Sequence, residues 1–450
     1  MWKSTSVKRK AGQLVIMGLF LLISFICGWA QNRQPLLGTQ RTGVDVTRDT
    51  TLDIALPSGF VLSGKVLVDD PISIIGSAVL ARSDDHIFAG RVTLEFSLTG
   101  PTATYRLVLP AGTYRLYFQR LVLDLDDPGE GEGALLRVIS DLSQRVAITS
   151  DRTLNITPPQ PPEPISLSGR VTSSGRFPAK GFLSFYSADG TVFATAPFDP
   201  TYRARLLPGS YTVVAQIINP DEREAGGIFV RLGQISVSTS DTHDFTLPEA
   251  VELSGRVTRA MGQPAVPSLV LAVAIADLAN LPSDEHPFCT DIGAFSSPPG
   301  TYAVTSIPEE SATGAYRLLL VPGTYLLNAH VNLDPKDRTN PTLIFPFLER
   351  SITADATQDF TMPSLPLFVV LSGRITDERG QPVAQAGISA VTDALAGTPN
   401  AAFTAWTETD AQGRYQLRLL SGTAHRIIAC PPSSSPTSLL GARARRRSPF

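Results

Sequence analysis

One short phrase recurs four times along the chain and limits what it can fold into. It reads Leu62-Ser63-Gly64-Lys65-Val66, then Leu167-Ser168-Gly169-Arg170-Val171, then Leu253-Ser254-Gly255-Arg256-Val257, then Leu371-Ser372-Gly373-Arg374-Ile375. The glycines stand 105, 86 and 118 residues apart. That is the length of a domain, not of a solenoid rung. A second element follows each copy. Tyr105-Arg106-Leu107 leads into Pro110-Ala111-Gly112-Thr113-Tyr114, Tyr202-Arg203-Ala204 into Pro208-Gly209-Ser210-Tyr211, and Tyr316-Arg317-Leu318 into Pro322-Gly323-Thr324-Tyr325. The last copy has Tyr415-Gln416-Leu417 before Ser421-Gly422-Thr423-Ala424. Apolar residues alternate on both sides of the turn, as in Tyr105, Leu107, Leu109 and Tyr114, Leu116, Phe118. Period two marks a strand with one buried face, and Pro-Gly between two such runs marks a turn, so each pair reads as a β-hairpin.

A third element precedes each Leu-Ser-Gly: Asp53-Ile54-Ala55-Leu56, Asn155-Ile156-Thr157-Pro158, Asp244-Phe245-Thr246-Leu247 and Asp359-Phe360-Thr361-Met362. A turn aspartate lies shortly upstream each time, at Asp49, Asp151, Asp241 and Asp355. Composition agrees with many short strands and turns: 35 Gly, 36 Pro and 18% charged residues in 450. The hydrophobic share of 43% supplies packed cores and excludes wholesale disorder. Three cysteines exclude a disulfide scaffold, and a net charge of −3 without a basic, aromatic-rich stripe speaks against a nucleic-acid partner.

The first thirty residues read as an export signal. Lys3, Lys8, Arg9 and Lys10 precede an apolar run from Leu14 to Cys27, and Gly28-Trp29-Ala30 offers small residues at a cleavage site. Retention as a membrane anchor is the alternative. Cleavage removes four positive charges and takes the net charge from −3 to −7. The expected organisation is therefore a signal peptide or anchor at 1–30, an N-terminal segment with a spare strand at 31–58, sandwich repeats at 59–163, 164–249 and 250–366 (the third with a long insert), an incomplete repeat at 367–437 and a basic tail at 438–450. The expected fold is all-β: four tandem antiparallel Ig-like β-sandwiches after an N-terminal signal helix.

The fourth copy carries the fullest set of motifs. Gly373-Arg374-Ile375-Thr376-Asp377 runs to Gly380-Gln381-Pro382-Val383, and Thr409-Asp410-Ala411-Gln412-Gly413-Arg414-Tyr415 follows. This resembles the carboxypeptidase regulatory-like, or transthyretin-like, β-sandwich domain over roughly residues 50 to 430. Copies one to three keep the opening and the final turn but lose the Asp-x-x-Gly signature. The resemblance implies a non-catalytic module of exported and cell-surface proteins, related to carbohydrate-binding-like sandwiches. It carries no catalytic residue.

The fourth copy also departs from the pattern. Ala424 stands where a tyrosine is expected, Arg426 where an inward apolar residue is expected, and too few residues follow Gly422 for a closing strand. Two readings follow. Either the C-terminus is altered, with a disordered basic tail, or the spare N-terminal strand completes copy four of the same or a neighbouring chain.

Candidate chemistry is sparse. The five histidines form no metal or hydrolase motif, so no enzyme and no cofactor is expected. An acidic loop with Asp124, Asp126, Asp127, Glu130 and Glu132 is the calcium candidate, with Asp334 and Asp337 in the corresponding loop of copy three. His286 and Cys289 offer at most half of a soft-metal site, and a Cys289–Cys430 disulfide is a further option. Lys65 with Asn155 and Glu95 has the residue types of an isopeptide bond, although arginine replaces the lysine in the other copies. Tyr117, Tyr186, Phe288 and Trp406 are the candidates for stacking on sugars. The expected function is a secreted or surface-anchored structural or binding scaffold. The alternatives are a carbohydrate-binding array and an accessory part of a larger extracellular enzyme or envelope transport system. The expected partners are a polysaccharide or another envelope protein, with membrane contact only through an uncleaved N-terminus.

Overall fold

The computed structural model describes residues 36–67, 77–83, 89–96, 102–123, 135–217, 227–275, 301–392, 402–432 and 438–439. The signal segment, the acidic loop at 124–132, the insert holding His286, Phe288 and Cys289, and Arg443–Arg447 lie outside them. The described residues form strands and turns with no α-helix, and the sequence expectation of an all-β chain holds.

Units one, three and four have two separate sheets, and in unit two the two layers are joined at a corner where Phe198 pairs with Tyr202. The Leu-Ser-Gly phrases sit in opening strands Phe60–Leu67, Ile165–Ser173, Val251–Thr258 and Phe368–Asp377. Each opening strand pairs antiparallel with the first strand of the hairpin: Thr102–Leu109, Thr201–Leu206, Ala315–Leu320 and Arg414–Leu420. The second hairpin strand crosses to the other sheet. These strands are Gly112–Leu123, Gly209–Ile217, Gly323–Asn332 and Thr423–Cys430. Tyr105, Leu107 and Leu109 on one side of the first turn, and Tyr114, Leu116 and Phe118 on the other, are all buried, as the alternation requires.

The third sequence element closes the unit it follows, and it does so in parallel. In unit one, Arg152–Thr153 runs alongside Leu62 and Ser63. In unit three, Ala356–Thr357 and Phe360–Thr361 run alongside the opening strand in the same way. The closing strand is interrupted, and side chains stand in for the missing ladder bonds. The Val61 amide donates to Asp151, Ser166 to the Ser240 hydroxyl, Glu252 to Asp355 and Val370 to Asp49, at 2.9, 3.1, 2.9 and 2.9 Å. In unit two this cap is therefore Ser240 and not Asp241. Four residues after each cap a second acceptor takes the amide of the residue behind the motif glycine. Lys65 donates to Asn155, Arg170 to Asp244, Arg256 to Asp359 and Arg374 to Asp53.

Unit four takes its closing strand from the N-terminus of the same chain. Thr39–Val46 pairs antiparallel with Thr423–Cys430. Thr50–Thr51 and Ile54–Leu56 then run parallel to Phe368–Asp377. Val46, Ile54 and Leu56 are fully buried in the core that holds Leu371, Ile375, Leu417 and Ile427. Of the two sequence readings, the spare strand completing copy four is the one observed, and it does so within one chain.

The second sheets of neighbouring units join edge to edge. Leu135–Leu136–Arg137–Val138 pairs with 192–195, Gly227–Ile228–Phe229 with 302–304, and Thr342–Ile344 with 402–404. Ser438–Leu439, which follows the last hairpin strand of unit four in sequence, pairs with Ala89 and Gly90 of unit one. Only Pro57, Ser58 and Gly59 separate the closing strand of unit four from the opening strand of unit one. The second sheets of the four sandwiches therefore run on from one unit to the next as one sheet.

The motif glycine is required by a close approach. A Cβ on Gly64, Gly169, Gly255 or Gly373 would lie 1.9, 2.0, 1.9 or 1.9 Å from the carbonyl oxygen of Leu154, His243, Gln358 or Leu52. A Gly373→Ala chain is expected to lose its N-terminal closing strand at a cost on the order of 3 kcal/mol to unit four. Hydrogen exchange checks this: protection should fall in 50–56 and 368–377 while 60–67 of unit one stays protected.

Candidate functional site

The chemistry that recurs in every unit meets at one point. The residue whose carbonyl sits over the motif glycine also donates its amide to the motif serine: Leu154 to Ser63, His243 to Ser168, Gln358 to Ser254 and Leu52 to Ser372. The same carbonyl accepts the hydroxyl of the first hairpin tyrosine. Tyr105 donates to Leu154 at 2.7 Å, Tyr202 to His243 at 2.7 Å, Tyr316 to Gln358 at 2.5 Å and Tyr415 to Leu52 at 2.6 Å. Burial pushes all four phenols well above their ordinary pKa, so they stay protonated donors. Asn155, offered in sequence as an isopeptide partner of Lys65, is one of these caps. It holds the Lys65 backbone amide, and Lys65 itself is exposed.

The turn tyrosines form a second set. Tyr114, Tyr211 and Tyr325 are buried, and each donates to a carbonyl four residues back, Pro110, Leu207 and Val321. In unit four this position is filled differently from the sequence expectation. Pro264 and Pro382 close equivalent turns in units three and four, and eight residues on stand Ala272 and Ala390. Ala272 lies opposite Leu327, and Ala390 opposite Ile427. Two residues before Leu327 is Tyr325, and two before Ile427 is His425. Gly422, at φ +71°, turns the chain so that Thr423, His425 and Ile427 point inward while Ala424 and Arg426 point out. A one-residue slip moves every side chain to the other face. The buried position is thus His425, not Ala424, and Arg426 lies on the outer face.

The calcium candidates divide between the described and undescribed parts of the chain. Asp124, Asp126, Asp127, Glu130 and Glu132 lie outside the described residues. Asp334 and Asp337 already face a cation from the chain itself: Arg418 of unit four, at 2.8 and 3.0 Å. Arg418 also lies 4.3 Å over the Phe368 ring. Burial works to raise Asp337, but the Thr339 amide and hydroxyl and the Arg418 guanidinium outweigh it and hold its carboxyl below the usual range. Among the described residues no group of three or more His, Cys, Asp or Glu is placed to hold a metal. A second staple, Arg176 to Asp355 at 2.8 and 2.9 Å, ties unit two to the closing turn of unit three.

The sugar-stacking candidates are engaged in packing. Tyr186 is 9% exposed and packs on Phe193, ring centroids 4.9 Å apart, with the Arg137 guanidinium 5.0 Å from Phe193. Tyr117 packs against Ala78, Leu80 and Ile139. Trp406 is half-buried on a strand whose amide reaches Thr339, and Phe288 is undescribed. The stacked pair that sequence reading missed is Phe229 with Tyr302, 4.3 Å apart and 15° from parallel. These two residues face each other across the seam between units two and three. Their signal was outward parity on strands that turn out to be edges. A shallow cavity of about 490 Å³ near the third hairpin turn is lined by Ala274, Ile275, Thr301, Val321, Pro322, Gly323, Thr324 and Tyr325. These residues bring no acid, base or nucleophile pair together. Cys430 is 2% exposed and disulfide-bonded; Cys27 and Cys289 lie outside the described residues.

No family description matches the chain, and no curated protein matches it. Among solved structures, similarity is found to a leucine-rich repeat protein from Bacteroides thetaiotaomicron, with 11% identity and a TM-score of 0.19 over 42% of this chain and 26% of that one. The Bacillus anthracis TIE protein gives 12% and 0.17 over 91% and 72%. A streptococcal ancillary pilin gives 10% and 0.17 over 68% and 100%. The chain spans about a quarter of the first of these. At TM-scores below 0.2 these likenesses carry no argument about fold or function.

The Arg418 triad is partly exposed, at 36% for the arginine and 40% and 11% for the two carboxylates, so solvent screens it. A double-mutant cycle of Arg418→Ala and Asp337→Ala is expected to give a coupling of about 1 kcal/mol or less, weakening at 1 M salt and below about pH 4. Thermal unfolding of the four variants measures it.

Proposed function

We propose that the chain is an exported, non-catalytic scaffold of transthyretin-like, carboxypeptidase regulatory-like sandwiches, held at the cell surface or released. The observation that carries the reading is the use of the recurring polar residues. Tyrosine and aspartate or asparagine of every unit are engaged in joining the closing strand to the opening strand, with their side-chain donors and acceptors bonded to the backbone. Residues kept for catalysis are held near a cleft and near one another. Here the repeated chemistry builds the array instead. The reading of 1–30 as an export signal supports the compartment.

The partner is an envelope protein or a polysaccharide, met at the sheet edges and loops. Phe347 and Leu348 are adjacent and exposed, 51% and 37%, where the strand Leu348–Ile352 begins, and apolar side chains shown at a sheet edge suit a protein partner. A polysaccharide has weaker support, because Tyr186 and Tyr117 are engaged in packing.

Protease treatment of intact cells, together with assay of the culture medium, tests this. The chain is expected to be cleaved on whole cells or recovered from the medium, and Phe347→Asp with Leu348→Asp to reduce its capture of envelope protein several-fold. A chain protected inside intact cells contradicts the proposal.

A further inference from the structure

The buried histidine of unit four lies against the strand that closes the unit. His425 is 1% exposed, and neither ring nitrogen has a hydrogen-bond partner. It stands directly opposite Val44 on the N-terminal strand, between Ala424 opposite Asp45 and the Arg426 position, with the Phe403 ring edge-on at 6.1 Å. In units one to three the equivalent tyrosine donates to a local carbonyl, and the residue opposite it lies only 32, 24 and 25 residues on in sequence. In unit four the strand opposite comes from some 380 residues away in sequence. The unpartnered imidazole thus stands in the unit whose closing strand comes from the far end of the chain.

We propose that His425 makes the N-terminal strand an acid-released clasp: protonation of the buried imidazole drives 39–56 out of unit four and frees the edge of Thr423–Cys430 to pair with another extended strand. A charged imidazole in this site would be cut off from bulk solvent, with little in the surrounding apolar core to replace its hydration. The charges that reach it are few. Asp45 on the opposing strand favours the proton, as do the nearby backbone groups of Thr423 and Val44, but burial outweighs them and lowers the His425 pKa. Arg426 points to the other face of the same sheet, and Arg418, on the facing strand, is bound to Asp334 and Asp337. The sign follows. The released state takes up the proton near the ordinary histidine value of about 6.5, whereas the closed state resists it. Closure is thus fully stable above that pH and weakens as pH falls through it.

Amide exchange on the full chain, corrected for intrinsic rates, tests the proposal. Protection of 39–56 is expected to drop up to about tenfold between pH 7.5 and 5.5, the limit for one histidine fully protonated only when released. Protection of 60–67 in unit one should hold. His425→Phe should show no drop over the same range, and His425→Tyr, which restores the residue of the other three units, serves if the phenylalanine variant does not fold. Unchanged protection of 39–56 in the wild type at pH 5.5 overturns the proposal. So does an equal drop in a folded His425 variant.

Discussion

Each sandwich is held by a backbone crossing that only glycine permits. A carbonyl of the closing strand sits where a Cβ would be on the opening strand, its own amide bonds the neighbouring serine, and a buried tyrosine hydroxyl caps it. Buried backbone groups must be paired, and the interrupted closing strand would leave several unpaired. The tyrosine and the aspartate, asparagine or serine caps pair them. Because the arrangement is the same in all four units, it fixes the phase of the repeat. A unit opens at Leu-Ser-Gly and ends with the element that follows its hairpin.

That phase determines the role of the N-terminal segment. Units one, two and three close on strands 90, 74 and 103 residues downstream of their opening strands, whereas unit four uses one 321 residues upstream. The chemistry is identical, so Asp49, Leu52 and Asp53 are recognisable members of the set. The consequence is topological. Unit four cannot be completed until both ends of the repeat region are present, and closing so long a loop costs entropy that local units do not meet. With the edge pairings between units and the N-terminal strand seated in unit four, the two ends of the repeat region are tied together within one chain.

Much of this was legible in sequence, and the parts that were not share a physical cause. Period-two alternation located the hairpins, and Pro-Gly located their turns, because both are local. The recurring Asp-Ile-Ala-Leu element was visible as a strand, and its surplus copy at 53–56 pointed to an exchange. What sequence did not contain was the parallel pairing of that element with Leu-Ser-Gly, which depends on contacts across a whole unit. The extra turn residue before His425 shifted the inward set by one, and a reading anchored on Gly422 placed Ala424 and Arg426 in the core. Asp334 and Asp337 read as calcium ligands because their cation, Arg418, comes from the next unit. Phe229 and Tyr302 carry no sequence signal as a pair because their stacking needs the seam.

The closure of unit four by the chain's own N-terminus is tested most directly by an engineered cross-link. Asp45 and Ala424 oppose each other on the exposed face of the pairing. A chain carrying Asp45→Cys and Ala424→Cys is expected to form that disulfide within the monomer on mild oxidation, identified by peptide mapping. Thiols that stay free, or that join only two separate chains, would contradict it.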